Sequence, residues 1–498
     1  MIRNAQSLLI IRHQNRIFVQ IKPDLFYSLM INQFLSGKII AQFSFEPTEQ
    51  QRVLLDQLAT FIVSRQEDHL FLLKGYAGTG KTSVVSALVK ALLTLDQHVI
   101  LLAPTGRAAK VLAHYAGYPA KTIHKHIYRQ KSIVESLFVL DKNAQQNGLF
   151  IVDEASMIAN NSGSGMLFGS GQLLDDLLQF VRSGKGCRLI LLGDDAQLPP
   201  VMQPISPALD KSKLESYGMN VTEFTLTQVV RQASQSGILF NATLIRNLLE
   251  ENVWPKTVHF NLNFPDIKRL NGDEIMDAIE STFAHQNIED TIFITRSNKQ
   301  ANVYNKGIRH QVLQKESEIG SGDLIMIVKN NYFWSKPYEE LDFLANGDIE
   351  KVVRVLRVHE MYGFRFADVL LQLLDYEYEI EARILLDSLQ TESPKQLEEL
   401  NKKLFQAVSE DYADIQNKRE RAKQMQQNAY LNALQVKFAY AVTCHKAQGG
   451  QWHTVFIDQG RVNEEQLDAE YYRWLYTAFT RATDMLYLIN FPDHFFMK

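Results

Sequence analysis

The stretch Gly75-Tyr-Ala-Gly78-Thr79-Gly80-Lys81-Thr82 has the residue types and spacing to hold a nucleoside triphosphate. Its glycines let successive backbone N–H groups turn inward around phosphates, and a helix beginning at Lys81 would add the field of its N-terminus. Lys81 is placed to reach the β and γ phosphates and Thr82 to ligate Mg²⁺, so ATP and Mg²⁺ are the expected cofactors. Asp153 and Glu154 follow the apolar run Leu149-Phe-Ile-Val152. Acidic residues at a strand end often do no more than solvate a loop. Beside a phosphate loop they read as a Mg²⁺ ligand (Asp153) and the group that orients and deprotonates the attacking water (Glu154). In Gly193-Asp-Asp-Ala-Gln197-Leu-Pro199-Pro200 the amide of Gln197 can sense a γ phosphate without adding charge, although Asp with Pro-Pro also makes a stiff turn. Arg231 and Arg481 are the candidate cations for the charge of a phosphoryl-transfer transition state.

These residues need a sheet to position them. Pro47 and Thr48 precede apolar positions at helical spacing over 49–63, and a short apolar strand at His69–Leu73 runs into the glycine loop. Strand, loop, helix (Ser83–Leu93) and strand (Val99–Ala103) form a βαβ unit, which requires parallel strands and a right-handed crossover. Strands at 149–152 and 188–192 also end in acids, and ligands in open α/β sheets lie beyond the carboxyl ends of strands. A small hairpin around Leu137–Leu140 and a Gly/Ser/Asn-rich loop at 160–171 interrupt this pattern. A second α/β pattern starts near Gln232, with strands at 291–295 and 454–457. Between them lie a β-rich stretch (323–328, 349–358, 369–374) and a charged helical stretch over 394–434, which reads as a solvated face in preference to a partner surface.

The chain of 498 residues exceeds what one core normally organises, and 46% apolar with 22% charged residues suits a folded protein. Lys plus Arg number 52 against 56 Asp plus Glu, so any nucleic acid must bind through a local groove. Cys187 and Cys444 are too few and too far apart for a disulfide framework or a zinc site, which favours a reducing cytoplasm. No apolar run approaches the roughly 20 residues of a membrane span, so no membrane partner is expected. Residues 1–29 show no pattern connected with the rest of the chain, and Met30 is a candidate start.

The ordered set GYAGTGKT, APTGRAA (103–109), TIH (122–124), IVDEAS, GDDAQLPPV, VVRQ, AVTCHKAQGGQ (441–451) and YTAFTRAT resembles superfamily 1 helicases of the RecD-like and Dda-like branch, over residues 47 to the C-terminus. The resemblance implies an α/β fold of two RecA-like P-loop domains with parallel sheets, ATP in the cleft and single-stranded DNA across the top. It divides the chain into an extension of unclear role (1–40), a first domain (41–128 and 149–230) with a β-hairpin pin inserted at 129–148, and a second domain (231–320 and 435–498) with a β-barrel and helices inserted at 321–434. It assigns Gly75, Gly78, Thr79, Gly80 and Gly449 to the nucleotide, Arg231 and Arg481 to the γ phosphate from the second domain's side, and Gln51 to the adenine. Thr48-x-x-Gln51 is also a capping box, and Gln50 competes for the adenine role. Strand contacts carried over by motif are Pro104, Thr105, Gly106, Thr122, His124, Thr443, His445 and Lys446; either histidine can equally be a satisfied polar side chain near the sheet. Phe138 is either the wedge of the pin or a buried hairpin aromatic. Phe333, Trp334 and Trp452 are candidates for base stacking, though core packing explains each as well. Gln451 stands where relatives carry a ribose-binding glutamate. The implied activity is 5′-to-3′ DNA unwinding by a monomer at duplex junctions, with a strand translocase, an RNA helicase or a motor subunit of a recombination nuclease complex as rivals.

Overall fold

A computed structural model describes residues 8–9, 19–20 and 23–496, apart from 65, 67, 133–136, 161–168, 231–234, 273, 339–340, 342 and 375–377. The first domain is built on a six-stranded sheet in the order 220–226, 69–75, 188–193, 149–152, 99–103, 120–122, with every pairing parallel. Its inner strands are covered on both faces, and this is why 99–103 and 149–152 are unbroken apolar runs, buried at every position. The glycine loop lies between the strand His69–Gly75 and the helix Lys81–Leu93, with sheet neighbours on both sides.

The helix Glu49–Val63 opens on a complete capping box. The Thr48 hydroxyl accepts from Gln51 N at 3.2 Å, and the Gln51 side chain accepts from Thr48 N at 2.9 Å. The helix Pro23–Ile40 packs on it, burying Leu35 and Ile39 in the same core, and Ser36 Oγ donates to Asp56 Oδ1 at 2.7 Å. The end of the N-terminal extension is thus part of the first domain's structure.

The second sheet runs 267–270, 482–489, 452–458, 291–295, 441–443, again wholly parallel. Strands 324–327, 349–361, 364–373, 379–385 and 434–438 close into a barrel inserted between its helix 298–307 and strand 441–443. Helices Pro394–Glu410 and Lys418–Gln426 leave and re-enter that barrel, and Leu404 and Val408 pack against Phe366 and Leu385 on its outer side. The expected barrel-plus-helix insertion is present.

The barrel is fastened to the sheet by a buried ionic knot. Asp323, fully buried, receives Arg309 (Nη2 at 3.1 Å), Lys315 Nζ (2.8 Å), the Tyr440 hydroxyl (2.8 Å) and Gly320 N (2.7 Å). Arg309 also lies over the ring of Phe438, 4.9 Å from its centroid. Removing the carboxylate would leave a buried guanidinium without its counter-charge. Asp323→Ala is expected to destabilise the second domain by about 3–5 kcal/mol, read as a lowered urea midpoint; an unchanged midpoint would show that the knot contributes nothing.

Candidate nucleotide cleft and strand groove

The glycine loop turns through left-handed backbone at Gly78 (φ 74°) and Gly80 (φ 83°). A Cβ on Gly80 would meet Gln51 Nε2 at 2.4 Å, so a side chain there is excluded by both strain and space. Gly80 caps the following helix with no side-chain acceptor, which leaves the first-turn amides to an anion. The Thr79 hydroxyl is turned inward, donating to Tyr76 O at 2.7 Å. Lys81 Nζ folds onto Gly75 O and Tyr76 O (3.2 Å) and lies 4.0 Å from Asp194 Oδ2, while Thr82 is exposed to the cleft.

Asp153 leaves the strand 149–152, and Glu154 adopts left-handed backbone (φ 53°) that starts a short 3₁₀ turn over 155–157. That conformation costs a non-glycine residue energy and turns the chain out of the strand direction. Burial raises the proton affinity of Asp153, the adjacent Glu154 carboxylate raises it further, and the Glu154 N–H and Lys81 oppose both. A hard divalent cation beside two carboxylates and the Thr82 hydroxyl answers that unfavourable charge, so the donor set fits Mg²⁺. Gln197 is buried with its side-chain oxygen unpartnered, as expected of an amide awaiting a ligand.

A cavity of about 430 Å³ gathers Gly78, Gly80, Lys81, Thr82, Asp153, Glu154 and Gln197 on one wall and Arg481 on the other. Arg481 is buried and held wholly by its own domain: Nε donates to Thr477 O (3.0 Å), Nη1 to Gly450 O (3.1 Å) and Nη2 to Thr480 Oγ1 (3.1 Å). Arg231 lies outside the described residues. The segment before it is tethered to the loop by Val230 N donating to Gly78 O at 2.9 Å, and Ser236 and Leu239 beyond it line the cavity.

Three residues given ligand or wedge roles by the resemblance are otherwise engaged, two of them as their alternative readings describe. Gln51 does not line the cavity: it is buried, its Oε1 closes the capping box and its Nε2 donates to Thr79 O at 3.1 Å, so it braces the loop from behind. Gln50 is equally engaged, with the end of strand 220–226 and the residues after it. Gly449 does not line the cavity; a Cβ there would meet Ala108 Cβ at 3.1 Å and Thr105 Oγ1 at 3.3 Å, so it permits close approach of the two domains, and Gln451 lines the cleft. Phe138 is buried in the first domain's core with its ring 5.0 Å from that of Tyr332, so it is a packed hairpin residue and no exposed wedge. The hairpin itself, 128–132 with 137–140, is present.

The strand residues stand at the carboxyl ends of the two sheets. Pro104, Thr105 and Gly106 come after the strand 99–103, and Thr105 caps the helix 106–116. Thr122 ends the strand 120–122 and caps 123–127, and Thr443 ends the strand 441–443 beside Thr295. Lys446 donates to Asn346 Oδ1. Burial lowers the proton affinity of His445 and Lys446, against Glu470 and Asp348 respectively, and takes His124 down to about 4 against Asp176. Trp334 and Trp452 belong to packing: Trp334 Nε1 donates to Asn432 O at 2.8 Å, and Trp452 is buried under Arg107, 3.9 Å away.

Of the residues that join the domains, Tyr476 and Thr477 lie in YTAFTRAT and Gln448 in AVTCHKAQGGQ, but the motifs do not mark this role. The Tyr476 hydroxyl accepts from Ala77 N (2.8 Å) and donates to Asp194 Oδ2 (2.7 Å), Thr477 Oγ1 accepts from Leu198 N (2.8 Å), and Gln448 Nε2 donates to Leu198 O (2.7 Å). Arg473 donates to Asp195 O and Gln197 O. A tyrosine inside an apolar helical run carries no signal of an interdomain bond.

Paired RecA-like sheets with a phosphate loop on one side of their cleft and a buried arginine on the other define a two-domain P-loop nucleotide-binding protein. The family described as AAA domain matches residues 48–247, and the UvrD-like helicase C-terminal domain matches 438–489. The chain is 30% identical to the ATP-dependent RecD2 DNA helicase of Deinococcus radiodurans over 198 residues, 39% of this chain and 23% of that protein. It is 25% identical to the ATP-dependent DNA helicase dda of Enterobacteria phage T4 over 58% of this chain and 64% of that one. It therefore spans under two thirds of either relative. A Pif1 helicase structure from Bacteroides, in complex with ADP-AlF3 and ssDNA, aligns with 91% of this chain and 95% of its own at 14% identity, with a TM-score of 0.45. By these two domain matches and these relatives the chain is similar to superfamily 1 helicases of the RecD-like and Dda-like branch. No helix among the described residues is long and apolar enough to cross a membrane.

Tyr476→Phe leaves Ala77 N and Asp194 without their shared partner, a cost of about 1–3 kcal/mol, and should lower kcat/KM for ATP hydrolysis roughly 5- to 150-fold; an unchanged value would remove the bridge from any coupling role. Burial also takes His126 down to about 4, with Lys121 and His98 adding to the effect. With both His124 and His126 depressed from 6.5, the unfolded chain protonates first as the pH falls. Their contribution to stability is complete above about 6.5 and is lost toward about 4. The ring of His126 packs edge-on against Phe150 and Phe180, so His126→Phe should weaken the fall of the urea midpoint over that range.

Proposed function

We propose that this chain is an ATP-driven DNA helicase that moves 5′-to-3′ along a single strand and opens duplex ahead of it. The observation that supports this most is the cavity between two RecA-like domains, with Lys81, Thr82, Glu154 and Gln197 on one wall and Arg481 on the other. Bound Mg²⁺, held by Thr82 and Asp153, would neutralise phosphate charge. Lys81 exchanges its contacts with Gly75 O and Tyr76 O for phosphate oxygens. Gln197 holds the attacking water through its unpartnered oxygen, and Glu154 accepts the proton from it. Arg481 supplies positive charge from the opposite domain, with Arg231 as the second cation, so the transition state is complete only when the cleft is closed.

Closure is thereby coupled to movement, because the same two domains carry the strand residues. Thr105 and Thr122 belong to the first, Thr443, His445 and Lys446 to the second. Hydroxyls, amides and one ammonium hold phosphates without reading sequence, as a motor that steps along any strand requires. The polarity comes from the branch, as does the DNA substrate: relatives in the branch are named DNA helicases.

Lys81→Ala is expected to abolish ATP hydrolysis while leaving the circular dichroism spectrum and melting transition intact; retained DNA-stimulated hydrolysis in that variant would sink the assignment. Forked substrates separate the remaining choices. Displacement on a 5′-tailed DNA fork, and not on a 3′-tailed or RNA fork, is the expected result.

A further inference from the structure

A second cavity, of about 290 Å³, lies where the second sheet, the barrel and the start of the helix 394–410 meet. Its floor is apolar, formed by Met326 and Val328 of the barrel edge with Phe438. Its rim is formed by Asn298 and Asn302, one turn apart on the helix 298–307, and by Asn346. Thr443 and Lys446 stand at its mouth, and they are two of the residues assigned to the strand. The Thr443 hydroxyl makes no capping bond to the helix it precedes and is available to a ligand.

Lys437 also lines the cavity, but its ammonium is engaged by Thr391 O and Leu389 O (3.4 Å) and Glu392 lies in the same lining, so a phosphate would find little to hold it there. A nucleobase has the opposite requirements: two apolar faces and an edge carrying donors and acceptors. An asparagine amide offers one donor group and one acceptor side by side, the complement of such an edge. Asn346 Oδ1 accepts from Lys446 and Asn302 Nδ2 donates to Thr391 O at 3.4 Å, so that edge falls to the Asn298 amide and the Asn302 side-chain oxygen. The volume is at the lower limit for ligand pockets, roughly 300 Å³, which suits a single nucleotide unit and excludes a base pair. Lys446 at the mouth places positive charge where the backbone of that nucleotide would pass.

We propose that this cavity takes one base of the tracked strand, turned out of the stack beside Thr443 and Lys446, so that the second domain grips the strand by a base as well as by phosphates. This role rests on the strand-tracking function proposed for the chain. A base held here supplies the second domain with an anchor as the cleft opens and closes, while sequence tolerance arises because every base has an apolar face.

The test uses the full chain with ADP and aluminium fluoride and a forked DNA whose duplex fixes the register. 2-Aminopurine is placed at successive tail positions, and a single abasic site is scanned through the same positions. One position should give a fluorescence distinct from its neighbours, and an abasic site there should weaken binding roughly 10-fold. Val328→Phe, which fills the floor, should remove that signal, and Asn302→Ala should reduce it, with circular dichroism confirming that each variant is folded. Uniform fluorescence along a bound tail, or a position-specific signal unaltered in a folded Val328→Phe, overturns the base pocket. So does weakening by a neutral methylphosphonate linkage at that position without weakening by the abasic site, which would identify a phosphate as occupant. Failure to bind any fork would instead overturn the strand-tracking function itself.

Discussion

The hydroxyl of Tyr476 is the point on which the two halves of this protein meet. It is buried, it comes from the second domain, and it accepts a hydrogen bond from the backbone of the phosphate loop while donating one to Asp194 at the end of a first-domain strand. Burial pushes the Tyr476 phenol far above its ordinary value, and burial likewise raises Asp194, which Lys81 and the Tyr476 bond oppose. Each group is tolerable in the interior only because the other is present. The apolar surroundings reinforce this dependence: Tyr76, Ala196 and Leu198 of the first domain pack into the second domain's core. Any change in the position of the loop is therefore felt in the last turn of the helix Ala469–Phe479, two residues before Arg481.

Arg481, for its part, is anchored fully to its own domain. Its three hydrogen bonds to Thr477 O, Gly450 O and Thr480 Oγ1 fix the guanidinium relative to the second sheet. Its approach to the nucleotide is then a movement of the whole domain, and no side-chain rearrangement is needed. The Asp323 knot extends the rigid unit outward, since it joins the barrel to the sheet through Arg309 and Tyr440. Thr443 and Lys446, proposed to hold the strand, and the cavity they line stand at this junction.

Much of the chemistry was legible because phosphate binding constrains the backbone itself. Gly78 and Gly80 must adopt positive φ, Lys81 and Thr82 must open a helix, and Asp153 must end a buried strand, so types, spacing and context agree. Barrel strands 324–327, 349–361 and 364–373 showed as apolar stretches, while 379–385 and 434–438 did not, being short and separated by two helices. Strands 120–122 and 220–226 also escaped notice, because partly exposed edge positions carry no continuous apolar run.

What the sequence determined by itself was local: the loop, the acidic strand ends, the capping box at Thr48 and the order of motifs, each set by a few contiguous residues. The tertiary structure alone decided which polar side chains would find partners before any ligand arrived. Gln51 turned from a candidate adenine ligand into a brace because Thr79 O lies within 3.1 Å of its amide. Gly449 became a point of domain contact because Thr105 and Ala108 face it. Phe138 became core because Tyr332, nearly two hundred residues on, covers it. Those outcomes depend on distances between segments remote in the chain, and only packing sets such distances.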